Sequence, residues 1–239
     1  MVAIDLNRLT STEFRRIVAK NPLVIIPVGA VEEHGPHLPL GTDSIQPEYI
    51  SGRLANRLRG PVLIAPAIRY GCCSTTRNFP GTISISFDTL RALLSEVLSE
   101  LCRNGVRRIL VLSGHAGGAH MSALRLAGEG VVARWPELKL MVLSDYDIAY
   151  ELRGKEFDER DGHAGTIETS RVMAIKPRLV KGGGVRSYDR PPRFIVSATP
   201  ERWFPAGIVG DATAATKGKG QRINDYIVKA LVELIKKSL

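Results

Sequence analysis

Residues 23–43 read LVIIPVGAVEEHGPHLPLGTD, and the rest of the chain is organised around this stretch. Its first six residues are apolar and mostly β-branched, which predicts a buried strand that is too short to cross a membrane. The glycines and prolines that follow argue against a helix and predict a loop. A loop at the end of a buried strand is where α/β enzymes place their functional groups. The loop carries five candidate polar side chains: Glu32, Glu33, His34, His37 and Asp43.

Outward from this stretch, short apolar runs alternate with helical patterns. Further strands are predicted at 62–65, 108–112 and 138–143. Helices are predicted at 10–20, 44–58, 88–102, 119–134 and from 215 or 219 to 237. Strands that alternate with helices favour a mostly parallel sheet covered by helices on both faces. We expect the charged residues 151–161 to be exposed, and residues 176–210, rich in glycine and proline, to form loops and a short hairpin.

Length and composition are those of an ordinary globular protein. The 239 residues are 44% hydrophobic and 24% charged, which predicts one domain over residues 1–239. The N-terminus has no apolar leader, and no apolar run approaches the roughly 20 residues of a membrane span. The three cysteines include the neighbours Cys72 and Cys73, a pattern that favours reduced thiols and a cytoplasmic protein.

The net charge of +9 suits either an anionic small substrate or nucleic acid. The basic residues are scattered through the predicted helices and turns, and aromatic residues make up only 6% of the chain. A basic stripe with interleaved aromatic residues is therefore missing, and the sequence does not favour nucleic acid. A basic nucleic-acid-binding protein without enzymatic activity stays as an alternative.

Several polar segments follow predicted strands and are expected to meet at one edge of the sheet. His115 follows the third predicted strand, Asp145 and Asp147 follow the fourth, and His163 and Glu168 lie in a later loop that enters a helix. Together with the loop after the first strand, these segments predict a metal site. Imidazole and carboxylate ligands suit zinc, manganese or iron.

Each of these residues also has a plain structural interpretation. Asp43 is placed to cap the helix predicted to begin near Ser44, and His120 lies inside a predicted helix. The clustering of histidines in glycine-rich segments favours metal binding over these alternatives. If the cluster binds metal, Asp43 is a candidate to bridge two metal ions, and His37 is a candidate to orient a ligand.

Four segments of the chain resemble the creatininase (creatinine amidohydrolase) family. They are PVGAVEEHGPHLPLGTD (27–43), NFPGTISI (78–85), SGHAGG (113–118) and HAGTIETS (163–170), in the family's order. The resemblance implies a three-layer α/β/α sandwich with a mostly parallel central sheet and a metal-dependent amidohydrolase. It also implies two divalent ions per subunit (Zn²⁺, Mn²⁺ or Fe²⁺), a small-molecule amide substrate and a homo-oligomer, with hexamers common in the family.

Carried over by motif position, the resemblance also implies roles for individual residues. One metal ion would be held by Glu32, Asp43 and His115, and the second by His34 and the shared Asp43. His163 and Glu168 would be catalytic, or Glu168 would be a ligand.

This sequence also departs from the family pattern. Creatininase has a metal-binding glutamate two residues after the motif histidine, whereas this chain has Gly117 there, and Glu168 is the candidate to replace it. The usual asparagine before the GH pair is Ser113, and Tyr146 lies in a region where creatininase has a tryptophan over its substrate. Creatinine is therefore not the expected substrate.

The sequence thus predicts a metal-dependent hydrolase of carbon–nitrogen bonds other than peptide bonds. The chemistry expected is attack by metal-activated water, with His163 or Glu168 passing a proton to the leaving nitrogen. Arg77 and Tyr146 are candidate substrate-binding residues. Two other tasks within the family are alternatives: deformylation of a formylamino-pyrimidine ribonucleotide in flavin and deazaflavin synthesis, and trimming of a redox-cofactor precursor peptide. A catalytically silent homologue is a further alternative.

Overall fold

A five-stranded parallel sheet forms the centre of the molecule. The structure is a computed structural model and describes residues 4–239. The strands are β1 (Ile4–Asp5), β2 (Leu23–Val28), β3 (Val62–Ile64), β4 (Arg108–Ser113) and β5 (Lys139–Ser144). They lie in the order β1-β3-β2-β4-β5. The four predicted strands are confirmed to within a residue or two at their ends. The edge strand β1 was missed because its two residues are too few to show a periodic pattern.

Seven α-helices pack on the two faces of this sheet. They are α1 (Ser11–Val18), α2 (Thr42–Ala55), α3 (Phe87–Arg103), α4 (Gly118–Arg134), α5 (Asp145–Ala149), α6 (Thr166–Ile175) and α7 (Lys217–Ser238). Alternate residues of β2 separate the two cores, because Ile25 packs with α2 and α7 whereas Val24 packs with α3 and α4. The three-layer α/β/α sandwich is therefore confirmed. Among the described residues, no helix has both the length and the apolar character that crossing a bilayer requires.

The order of the strands creates a crevice between β2 and β4. The chain leaves β2, forms β3 on one side of it, and then crosses to form β4 on the other side. Such a reversal of strand order is where α/β sheets bind ligands at the carboxyl ends of their strands. A Cβ atom on Gly114, directly after β4, would collide with the carbonyl oxygen of Asp43 in α2. This glycine therefore lets the two loops approach closely.

The second half of the chain departs partly from the expectation of exposed loops. Residues 151–161 were predicted to be exposed, but Leu152, Phe157 and Asp161 are buried. The carboxylate of Asp161 accepts hydrogen bonds from the backbone N–H groups of Thr166 and Ile167, at 2.7 and 2.9 Å, at the start of α6. The prediction was wrong because the average charge of the segment hides these few inward-facing side chains. Residues 186–187 and 210–211 pair as two short antiparallel strands, but the long segment 188–209 joins them, so they do not form the short hairpin that was expected within 176–210.

Candidate metal centre and active site

Five carboxylate and imidazole side chains meet at the carboxyl ends of β2 and β4. All five were predicted as metal ligands, and all are buried, with exposed fractions between 1% and 8%. Burial of so many ionisable groups in one place is costly unless something compensates their charge. The residues are Glu32, His34, Asp43, His115 and Glu168.

Asp43 lies at the middle of this cluster. Its Oδ1 atom lies 3.1 Å from Nε2 of His34, and its Oδ2 atom lies 3.2 Å from Nδ1 of His115. Asp43 is inside the first turn of α2, whose N-cap is Gly41, and no side chain caps this helix. The alternative in which Asp43 acts as a helix cap is therefore wrong. One carboxylate faces two imidazoles, which is the arrangement expected of a bridging ligand.

The first part of the cluster, called here the Glu32 half, consists of Glu32, Asp43 and His115. Oε2 of Glu32 lies 2.9 Å from Nδ1 of His115. Nε2 of His115 is buried without a hydrogen-bond partner, and Oε2 of Glu32 and Oδ2 of Asp43 lie close to Nδ1 of His115 without hydrogen-bond geometry. Buried polar atoms without a hydrogen-bond partner are rare in native structures, and they mark an ion-binding or functional site. The residues of the Glu32 half thus fit a divalent cation.

A thiol lies beside the Glu32 half. The sulfur of the buried Cys73 and the ligand atoms of Glu32 and His115 all lie within 4.8 Å of one another. Burial, together with the neighbouring carboxylates of Glu32 and Asp43, raises the pKa of this thiol. In the sequence, Cys72 and Cys73 indicated only reduced thiols, and neither was a candidate in the predicted metal site. Cys73 does lie next to the cluster.

The second part, called here the Glu168 half, consists of His34, Asp43 and Glu168. Oε1 of Glu168 lies 3.5 Å from Nε2 of His34, and one ligand atom from each of the three residues lies within 4.8 Å of the others. Glu168 comes from α6, far along the chain from the other two residues. Glu168 thus lies beside His34 and Asp43, the two residues that the resemblance implies for a second metal ion.

Gly117 itself leaves no room for that ligand. A Cβ atom at this position would lie 2.5 Å from Nε2 of His115. A side chain at residue 117 would therefore displace His115. This chain has glycine at residue 117, where creatininase has a glutamate, and it has the carboxylate of Glu168 on α6 beside His34. The two differences are consistent with each other.

Other side chains hold Glu168 in place. Its Oε1 accepts a hydrogen bond of 2.5 Å from the hydroxyl of Tyr146, and its Oε2 accepts one of 2.6 Å from the backbone N–H of Ala164. The Tyr146 hydroxyl also lies 2.7 Å from Oε1 of Gln46, whose Nε2 has no partner. Since the hydroxyl has one proton, turning the Gln46 amide round would let Nε2 donate to Tyr146. Tyr146, predicted to bind substrate, lines the cavity and also contacts Glu168 directly.

The charges of the cluster are strongly coupled. Burial opposes a charge on His34 and on His115, but the neighbouring carboxylates outweigh it and raise both pKa values well above the usual range. Burial likewise opposes ionisation of Glu168, but His34 and the Tyr146 hydroxyl outweigh it and lower the pKa to about 2. The carboxylates therefore stay ionised at neutral pH and provide the negative charge that a divalent cation requires.

His163 lies between the cluster and the cavity in front of it. Its Nε2 atom lies 2.9 Å from the carbonyl oxygen of Glu33 and 3.1 Å from Oε1 of the same residue. Its ring centroid lies 4.4 Å from that of His34, and its side chain is 22% exposed. Burial and His34 lower its pKa, but the bond with Glu33 and nearby carboxylates raise it above the usual value overall. His163 is thus placed to carry a proton beside the cluster.

Two histidines outside the cluster support its walls. Nε2 of His37 lies 2.7 Å from the hydroxyl of Thr169, so this residue fastens the loop after β2 to α6 instead of orienting His34. His120 receives a hydrogen bond of 3.3 Å from the backbone N–H of Cys72, and its Nε2 lies 3.1 Å from the hydroxyl of Ser113. The prediction that His120 is structural agrees with these contacts.

Three other candidates lie apart from the cluster. Asp145 is buried in an ion pair with Arg171, and Asp147 accepts a hydrogen bond of 3.0 Å from the backbone N–H of Ser144. The expectation that both carboxylates converge on the metal site was therefore wrong, because each is used within the helical layer. Arg77 is exposed and does not line the cavity, although its neighbour Thr76 does.

A cavity of about 410 Å³ opens in front of the cluster. This size is in the range of small-molecule sites. Sequence analysis missed most of the far wall, because loops after the predicted strands give no periodic signal. The missed lining residues include Thr75, Tyr150, Arg153, Arg190 and Phe204.

Comparison with known proteins now decides the family. The sequence profile described as "Creatininase: Creatinine amidohydrolase" matches residues 7–235. The chain belongs to the creatininase family. Its hydrolases act on amide bonds, and the cluster described above lies in this chain on the family's motifs.

Relatives within this family carry different names. A creatinine amidohydrolase from Pseudomonas putida is 28% identical, over 98% of this chain and 96% of the relative. A mycofactocin precursor peptide peptidase from Mycolicibacterium smegmatis is 31% identical, over 95% and 90% of the two chains. A solved structure described as "Creatininase Mn" has a TM-score of 0.88 and 26% identity, and the match covers 98% of each chain.

Proposed function

We propose that this member of the creatininase family is a hydrolase that holds two divalent cations and cleaves the carbon–nitrogen bond of an amide or formamide. The observation that carries the proposal is the pair of half-sites that share Asp43. Each half has one imidazole, one carboxylate of its own and one oxygen of Asp43. Zinc, manganese and iron(II) all accept this mixture of ligands.

The chemistry is divided between the cations and the chain. Bound cations supply Lewis acidity toward the carbonyl oxygen and lower the pKa of water. Glu32, Asp43 and His115 would hold one cation, and His34, Asp43 and Glu168 the other. His163 holds a proton at Nε2, beside Glu33, and donates it to the leaving nitrogen. Hydrogen bonds from Tyr146 and Ala164 fix the ionised carboxylate of Glu168 beside His34, which suits a metal ligand and leaves proton transfer to His163.

Creatinine is not the substrate that we propose. Creatininase covers its substrate with tryptophan, whereas the cavity here is lined, among the described residues, by Tyr146, Tyr150 and Phe204 and by neither tryptophan of the chain. Trp135 packs instead in the core beneath α3 and α4. Among the described residues, the cavity therefore lacks the tryptophan cover that the family resemblance associates with creatinine.

A peptidase is the second candidate function. It is favoured by the 31% identity to the mycofactocin precursor peptide peptidase, which extends over 95% of this chain. A comparison of simple formamides with short peptides under identical metal loading separates the two candidates. Cleavage of only the peptides would move the proposal to a peptidase. The single domain over residues 1–239, the homo-oligomer and the cytoplasmic location stay predictions.

Elemental analysis of purified, metal-loaded protein tests the metal centre. We expect two ions per subunit in the wild type and one in each of Glu32→Gln and Glu168→Gln. Each variant removes the carboxylate that belongs to one half only. Asp147→Asn is the matched control, since Asp147 lies outside the cluster, and it should keep both ions. Two ions in Glu168→Gln would return Glu168 to the role of proton shuttle. No bound metal under any loading condition would refute the hydrolase proposal and support a catalytically silent homologue.

A further inference from the structure

Two guanidinium groups line the cavity opposite the carboxylate cluster. Arg153 follows the short turn of residues 150–152, and Arg190 lies in the loop after the short strand of residues 186–187. Neither forms an ion pair with a carboxylate among residues 4–239. Other arginines in the described part of the chain do form such pairs, for example Arg53 with Asp225, Arg107 with Glu137 and Arg171 with Asp145.

Arg153 has hydrogen-bond donors that the chain leaves unused. Its Nε is buried and has no hydrogen-bond partner in the described part of the chain. The guanidinium carbon lies 3.0 Å from the centroid of the Tyr150 ring, so the ring supports one face of the group. A buried donor without an acceptor costs free energy, and more so when it is charged.

The surroundings of Arg153 add to the free-energy cost of leaving its donors without an acceptor. Burial is the main cause that lowers its pKa, and the positive charge of Arg190 acts in the same direction, whereas Tyr150 and Asp161 oppose it. Asp161 forms no ion pair with Arg153, and its two oxygens accept backbone N–H groups at the start of α6. Arg190 uses one Nη to donate to the carbonyl oxygen of Arg160. Two neighbouring positive charges thus line the cavity, and neither forms an ion pair with a carboxylate in the described part of the chain.

We propose that Arg153 and Arg190 bind an anionic group of the substrate, a carboxylate or a phosphate, while its amide lies at the carboxylate and imidazole cluster. The planar guanidinium matches both oxyanions with two parallel hydrogen bonds. This inference rests on the proposed hydrolase function and narrows it to amides that carry an oxyanion. The positive end of the cavity then selects the substrate, and the metal-binding end acts on it.

Calorimetric titration of metal-loaded protein with inorganic phosphate and with acetate, at constant ionic strength, tests the subsite directly. We expect Arg153→Gln to weaken binding of the preferred anion about 10-fold or more, as loss of a charge-assisted hydrogen bond does. Arg153→Lys, which keeps the charge but not the fork, and Arg190→Gln should weaken it less. The anion that binds more tightly and loses more in Arg153→Gln identifies the source as phosphate or carboxylate.

Arg193→Gln is the matched control for these variants. Arg193 lies three residues after Arg190, is exposed, stacks on Phe194 and does not line the cavity. Equal weakening in Arg193→Gln would show a general charge effect and overturn the inference. Unchanged binding in Arg153→Gln, or no binding of either anion to the wild type, would overturn it as well. If Arg153→Gln does not fold, Arg153→Lys and Arg190→Gln decide by the same criteria.

Hydrolysis of paired formamides, alike except for an anionic group, separates this inference from the proposed function. We expect the anionic member to have the higher kcat/KM, and Arg153→Gln to raise its KM while changing kcat little. Equal hydrolysis of both members, unaffected by Arg153→Gln, would leave the hydrolase standing without the subsite. No hydrolysis of either would count against the hydrolase, and the calorimetric result would still decide the subsite.

Discussion

The Glu32 half and the Glu168 half of the cluster share Asp43 but are built differently. In the Glu32 half, Oε2 of Glu32 and Nε2 of His115 have no hydrogen-bond partner. In the Glu168 half, both oxygens of Glu168 accept hydrogen bonds from Tyr146 and Ala164. Unsatisfied buried atoms give the first half more to gain from a cation, whereas the second half already has fixed geometry.

The difference follows from where the residues come from. The Glu32 half is supplied by the loops after β2 and β4, which are neighbouring strands of the sheet. The Glu168 half depends on α6, which a buried ion pair between Arg171 and Asp145 holds against the start of α5. Changes in the helical layer should therefore affect the Glu168 half first.

The largest effect is expected from Asp43→Asn, which should disable both halves of the cluster at once. Asp43 contributes one oxygen to each half, so its loss should remove both cations and lower activity by at least about 100-fold. Metal per subunit and turnover are measured together. Retention of one tightly bound ion would show that Asp43 does not bridge the two halves.

Arg171→Met should lower the stability of the protein by weakening the attachment of α6, which carries Glu168. It leaves Asp145 buried without its partner, which costs about 3–5 kcal/mol in the free energy of unfolding. Urea unfolding measures the loss, and the double variant Arg171→Met with Asp145→Leu should recover most of it. A change below about 1 kcal/mol would mean that the pair does not anchor α6.

Tyr146→Phe should weaken the Glu168 half alone. The variant removes the hydroxyl that donates to Oε1 of Glu168 but keeps the ring, so affinity for one of the two cations should fall about 10-fold to 100-fold. Competition with a chelator resolves the two dissociation steps. Tyr150→Phe is the control, because it keeps the ring that contacts Arg153. Equal weakening of both steps would contradict the independence of the halves.

Thr76→Val is the corresponding change in the Glu32 half and has the smallest expected effect. The Thr76 hydroxyl donates to Oε1 of Glu32, and valine keeps the shape of the side chain. Loss of one neutral hydrogen bond should weaken the other cation about threefold to tenfold. The same chelator assay measures it, with Thr75→Val as the matched variant of a neighbouring exposed residue. If Thr76→Val weakened the same dissociation step as Tyr146→Phe, the assignment of the two steps to the two halves would be wrong.

Much of the fold and part of the site could be predicted from local patterns. The apolar run of β2 and the capping-box spacing of Thr10 and Glu13 are short-range signals, and both elements are present in the structure. The metal-ligand candidates after β2 and β4 lie together because parallel strands end at the same edge. Asp145 and Asp147 follow the same rule but were misplaced, since Arg171 and the N–H of Ser144 bind them instead.

The sequence by itself determined the strand β2, the loop with Glu32, His34 and Asp43, and the family to which the chain belongs. These features depend on neighbouring residues, so their spacing along the chain is enough to identify them. Only the tertiary structure decided that Glu168 faces His34, that Tyr146 holds it, and that Arg153 has no acidic partner. The physical reason is that each of these contacts joins segments far apart in the chain, and which groups become partners is set by how helices and loops pack on the sheet.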